Sequence, residues 1–351
     1  DALLFIPSQV PFNYYTKDFK KGLQLYSSGV MIMDHCEDLL PDYFSFVKGL
    51  VDSPDLSLNI SREMLQQDRQ LKAIAQRLEK KISSTLLEMQ EKDRESYDKM
   101  FDAFGMQLKY GVYDQYGVHK DKLKDFIEFY SSTTDELATF KEYVSRMRDD
   151  QKYIYYATGE SKEKIAKMPQ MDLFKDKGYE VLYCTDEIDE FALKILQSYD
   201  DKEFKSISDK DLGFEMSDEE KKAQEEKQEE AKDVLTAVKE ALGDKVASVI
   251  LSTRLKDHPV CFASGDGLSL EMEKVLKAQA EITGNKEVGA IKADKILELN
   301  GDHPFFAALK AAVESDNKEK VSDYAQLLYD QALIIEGLPI DDPVAFSNRI
   351  C

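Results

Sequence analysis

The chain of 351 residues carries 47 Lys and Arg against 68 Asp and Glu, a formal net charge of −21, with 42% hydrophobic and 33% charged residues. So long a chain outgrows one hydrophobic core, so two or three domains are expected, and its negative charge disfavours nucleic acid and anionic membrane as partners. No apolar run approaches the roughly 20 residues of a membrane span, no signal peptide opens the chain, and Cys36, Cys184, Cys261 and Cys351 lack C-x-x-C spacing, which fits reduced thiols in a cytoplasmic protein better than disulfides or a zinc site.

The chain enters at Asp1 directly on the strand-like Leu3-Leu4-Phe5-Ile6-Pro7, from which a preceding segment is expected. Leu23-Gln24-Leu25-Tyr26-Ser27 and Val30-Met31-Ile32-Met33, separated by Ser28-Gly29, read as a β-hairpin. Met31 either packs in the core or stays exposed. Pro41 is placed to open a short helix through Phe44, Val47 and Val51, which Asp52-Ser53-Pro54-Asp55 breaks.

In Leu58-Asn59-Ile60-Ser61-Arg62-Glu63-Met64-Leu65-Gln66-Gln67, Ser61 reads as a helix N-cap, and Glu63 suits the positive end of the helix dipole. Arg62 does not suit it, so either Glu63 and solvent neutralise the guanidinium or it meets an anion from elsewhere. From Leu71 onward, Ile74, Leu78, Ile82, Leu86 and Met89 recur at helical steps, leaving Lys72, Arg77, Lys80 and Lys81 to water. Helices through Met100-Phe101 and through Leu123, Phe126 and Ile127, with loops at Gly105 and Gly111, suggest a small helical layer.

Lys152-Tyr153-Ile154-Tyr155-Tyr156 and Glu180-Val181-Leu182-Tyr183-Cys184 are β-rich runs separated by a helix-length segment that ends at Gly178, the pattern of a parallel crossover. Gly159-Glu160-Ser161-Lys162 lacks the Walker spacing and reads as a turn with an N-cap. A helix over 186–199 carries Phe191, Leu193, Ile195 and Leu196, enough apolar residues to leave one exposed. The charged run 215–233, opened by Ser217, reads as an exposed helix at a domain boundary. Residues 246–253, 260–263 and 295–299 read as strands. Residues 268–280, 303–313, 318–335 and 341–350 read as helices. In the helix after Gly265-Asp266-Gly267, Leu268, Met272, Val275 and Leu276 share one face, which either packs on the strands or meets a partner. In residues 318–335, Tyr324, Leu327, Leu328, Gln331, Ala332 and Ile335 form a stripe too apolar for water, which either packs on its own domain or pairs with a second chain.

No nucleophile–base pair, metal-ligand set or phosphate loop can be nominated, and His35, His119, His258 and His303 are isolated. The wording of residues 58–67, with Leu4-Phe5-Ile6-Pro7, Ser45-Phe46-Val47-Lys48-Gly49-Leu50-Val51-Asp52-Ser53, Tyr143-Val144-Ser145-Arg146-Met147 and residues 327–332, resembles the ninety-kilodalton heat-shock chaperone family over nearly all the chain. The chain ends without the acidic or retention tails of eukaryotic members, which suggests a bacterial member.

The resemblance implies an α/β (α+β) multidomain fold. Two α/β layered units, 1–92 and 132–214, are joined by a helical connector, 93–131, and followed by an α+β dimerisation domain, 215–351, whose last helices form a four-helix bundle. It implies that Arg62, helped by Gln66 and with Asn59 supporting the loop, reaches ATP with Mg held by a separate N-terminal domain that is missing here. Met31 would meet that domain, while Phe191, Leu268, Met272, Val275 and Leu276 would bind unfolded clients. Tyr324, Leu327, Leu328, Gln331, Ala332 and Ile335 would join two protomers. This chain alone is expected to bind no cofactor or metal and to have no activity. Composition alone would equally support a non-catalytic scaffold.

Overall fold

The computed structural model describes residues 1–56, 69–215, 217–265 and 267–350, so Asn59, Arg62 and Gln66 lie outside the described residues. The fold is mixed α/β. In chain order its strands are β1 (Ala2–Phe5), β2 (Leu23–Ser27), β3 (Val30–Cys36), β4 (Lys48–Asp52), β5 (Glu128–Ser131), β6 (Leu137–Thr139), β7 (Ile154–Thr158), β8 (Val181–Cys184), β9 (Ser198–Tyr199), β10 (Lys202–Ser206), β11 (Ser248–Leu251), β12 (Val260–Ser264) and β13 (Lys295–Leu299). Its longer helices are α1 (Arg69–Lys92), α2 (Arg94–Gly117), α3 (Phe140–Arg146), α4 (Met171–Lys177), α5 (Asp189–Leu196), α6 (Asp218–Glu230), α7 (Lys232–Leu242), α8 (Leu270–Thr283), α9 (Pro304–Glu314), α10 (Lys318–Ile335) and α11 (Pro343–Ile350). They form two compact units, one of residues 1–128, 137–142 and 192–196, the other of residues 129–136, 143–191 and 197–351.

The first unit holds a sheet of order β1-β4-β2-β3. The expected hairpin is present: β2 and β3 pair antiparallel through Ser28 and Gly29, whose φ angles of 51° and 79° are those of a tight turn matched to strand twist. The helix expected from Pro41 is not. Only Asp42–Phe44 coils, as one 3-10 turn, and Lys48–Asp52 becomes a strand paired on both edges, with β1 and with β2. Gly49 explains the difference, because its φ of 140° is closed to other residues and a Cβ there would lie 1.9 Å from the Leu3 carbonyl oxygen. On α1, Leu71, Leu78, Ile82 and Leu86 are buried while Lys72, Arg77, Lys80 and Lys81 are exposed, as the periodicity predicts.

The loops expected at Gly105 and Gly111 are corrected, since both lie inside α2. Glycine is required there by close packing: a Cβ on Gly111 would come within 2.5 Å of Tyr43 Cβ, and one on Gly105 within 2.9 Å of the Phe101 ring. Phe46 and Phe104 stack at 5.0 Å in the core beneath. At the start of α2, Arg94 meets Asp98 at 2.5 Å, Glu142 at 2.7 Å and the wholly buried Glu128 at 2.9 Å.

In the second unit one sheet runs β5-β8-β7-β10-β9, with β7 parallel to both β8 and β10. The β7–β8 crossover closes at Gly178, left-handed at φ 64° as the C-cap of α4. Tyr143 anchors this sheet: its buried hydroxyl donates to the Glu180 carbonyl at 2.7 Å and accepts from Tyr155 N–H at 2.9 Å, while Arg146 and Ser131 hold the Glu180 carboxylate. The helix expected over 186–199 is shorter, Asp189–Leu196, because Ser198–Tyr199 pairs with β10.

The Ser217 N-cap forms a full capping box with Glu220, and α6 buries no residue, matching its charged composition. Beyond it, a three-stranded sheet of order β11-β13-β12 is covered by α7, α9 and α10, with Val238, Phe262, Leu297, Leu309, Leu328 and Ala332 in one core.

Candidate functional site

In the second unit, β7 and β8 both end at one cleft, of about 270 Å³, whose opposite wall is α8. Side chains at the carboxyl ends of adjacent parallel strands face such a crevice by construction. The cleft brings together Phe191 from α5 with Met272 and Val275 from α8, three of the residues singled out for partner contact. Phe191 and Met272 are half-buried, and Val275 is buried.

A buried polar relay fixes α8 at this wall. The Tyr156 hydroxyl, on β7, donates to Glu190 Oε1 at 3.0 Å. The other Glu190 oxygen accepts from the Ser269 hydroxyl, and the Ser269 oxygen in turn accepts the Met272 N–H at 3.1 Å as the N-cap of α8. Burial, and then the facing Glu190 charge, push the Tyr156 hydroxyl pKa well up, so it stays a donor. Glu271 lies in the same wall with its pKa raised by burial, and Lys274 stands 3.7 Å from it and 3.6 Å from Glu160. Tyr156, Glu190, Ser269 and Glu271 were not found from the sequence. Ser269, followed by Glu271 and Glu273 in the first helical turn, carries a readable N-cap signal, whereas nothing local pairs it with Glu190.

The other expected positions divide. Leu268 precedes α8 and packs on the core of the three-stranded sheet, and Leu276 is half-buried. The most exposed apolar residue of α8 is Ile282, at 86%. In α10, Leu328 and Ala332 are buried in their own core and Tyr324 packs against it, so half of the stripe is satisfied within the chain. Leu327, Gln331 and Ile335 remain half-buried, and Ile334, Val344 and Ile350 are exposed. Met31, on β3 of the first unit, is 47% exposed rather than core. Among the described residues no group of His, Cys, Asp and Glu is arranged to hold a metal, and no helix is long and apolar enough to cross a membrane. The cleft sets the apolar Phe191, Met272 and Val275 beside carboxylates of which Glu160, Glu190 and Glu271 are engaged by Lys274, Lys164, Tyr156 or Ser269.

A sequence model of the family described as Hsp90 protein matches residues 1–351. Chaperone protein HtpG of Clostridium acetobutylicum is 58% identical over 350 residues, which cover 100% of this chain and 54% of that protein. The proteins of that name from Oceanobacillus iheyensis and Bacillus subtilis are 56% and 54% identical over 351 residues, 100% of this chain and 55% of each relative. The chain spans about half the length of the curated relatives it matches.

Proposed function

This chain belongs to the Hsp90 protein family, and we propose that it is the client-holding, dimer-forming part of an ATP-driven molecular chaperone of the bacterial cytoplasm. The nucleotide, with Mg, is held on a separate domain. Arg62, helped by Gln66 and Asn59, offsets negative charge on the phosphate as the bond breaks. Exposed Met31 gives that domain an apolar footing. Unfolded chains dock along α8 and the neighbouring cleft, where methionine and leucine adapt to many apolar partners without selecting one.

The observation that carries this reading is that Phe191 and Met272, from two separate elements, line one cleft, while Ile282 on α8 is 86% exposed. The test is suppression of aggregation of a heat-unfolded reporter by the chain. Met272→Glu with Leu276→Glu should lower suppression several-fold with the fold intact by circular dichroism. Unchanged suppression removes α8 from the mechanism.

A further inference from the structure

Residues 207–210 pass from one sheet of the second unit to the other. Ile207 N–H still donates to the Tyr156 carbonyl of β7 at 2.9 Å, whereas Ser264 N–H of β12 donates to the Ser208 carbonyl at 2.8 Å and Lys210 N–H donates back to the Ser264 carbonyl at 3.0 Å. This short parallel bridge makes the segment an outer rung of the three-stranded sheet. One side chain spans it. Arg254, 3% exposed, donates from one terminal nitrogen to the Ile207 carbonyl at 2.7 Å, and from the other to the Asp209 and Lys210 carbonyls at 2.8 and 3.2 Å. The second of these nitrogens also lies 3.0 Å from Glu298 on the central strand β13, whose carboxylate accepts from the Ser252 hydroxyl at 2.7 Å.

We propose that Arg254 is a positioning residue that clamps residues 207–210 between the two sheets, so that they turn as one body, and that turning one against the other begins when this guanidinium leaves its three carbonyls. Only a planar fork with several donors can hold three carbonyls and a carboxylate at once, and a lysine ammonium cannot reproduce that geometry. The clamp is also not saturated. Arg254 Nε is buried without a hydrogen-bond partner, an unmet donor that favours the released state.

Hydrogen exchange on the whole chain tests this with Arg254→Lys. The Lys210 and Ser264 amides should exchange at least tenfold faster while β8 and α10 keep their protection. Unchanged rates at Lys210 and Ser264, or equal acceleration everywhere, overturn the proposal. If that variant does not fold, Arg254→Met with Glu298→Met removes both buried charges together and is read the same way. Rigidity is read separately from spin labels at Glu203→Cys and Glu319→Cys in a Cys351→Ser background, the labelled chain diluted in an excess of unlabelled chain so that only distances within one copy are read. One narrow distance is expected with Arg254 present and a broadened or second distance without it; identical distributions overturn the clamp.

Discussion

At the scale of single residues, the strongest electrostatic commitment in the first unit is Glu128, wholly buried and 2.9 Å from Arg94. Burial pushes its carboxyl up to about 8, outweighing the pull of Arg94. The folded chain therefore binds this proton more tightly than the unfolded chain, whose glutamates titrate at about 4.3. The resulting stability is present below the unfolded value and is lost as pH rises through about 8. Urea unfolding between about pH 6 and pH 8.5 should show the native chain losing on the order of 2 kcal/mol more than Glu128→Gln does. Equal losses in both would refute the assignment. Gly105 and Gly111 show why some residues could not be placed from the sequence. Their glycine signal was legible, but its cause, the Phe101 ring for one and Tyr43 for the other, is packing that a turn rule does not see.

Among the elements, helices with a long apolar period were the most legible: 318–335 has the bounds its periodicity predicts, and α1 buries Leu71, Leu78, Ile82 and Leu86 of the expected face while Ile74 and Met89 stay half-buried. Strand β4 was hidden because Phe44, Val47 and Val51 fall at helix-like spacing, while Gly49 and pairing on both edges decide for strand. The candidate site was half legible. The apolar residues of α8 could be chosen from its periodicity, but the Tyr156–Glu190–Ser269 relay that seats the helix joins positions far apart in sequence. Ser269→Ala removes both the cap and the bond to Glu190, so it should cost about 1–2 kcal/mol and speed hydrogen exchange in the first turn of α8. Native exchange there would mean that the relay does not hold the helix.

For the whole molecule, the burial of Leu328 and Ala332 changes how dimer formation should be tested. Deleting α10 would empty a core, so its loss would say little about pairing. The apolar side chains of this region that the chain does not itself bury, and that the proposed pairing would use, include the half-buried Leu327 and Ile335 and the exposed Ile334, Val344 and Ile350, with Gln331 beside Leu327 in the same stripe. On the proposed function, a client patch of roughly 300 Å² would contribute about 7 kcal/mol at 25 cal/mol per Å², against an association cost of at least about 4, so one copy would hold an unfolded chain weakly. Two copies, as proposed, would raise the effective concentration of the second contact and tighten the grip without adding specificity. The most direct measurement is the binding isotherm of a fluorescent, permanently unfolded polypeptide to the native chain and to Ile334→Glu with Val344→Glu. The account expects the native chain to bind at least tenfold more tightly; equal affinity for the two would contradict it.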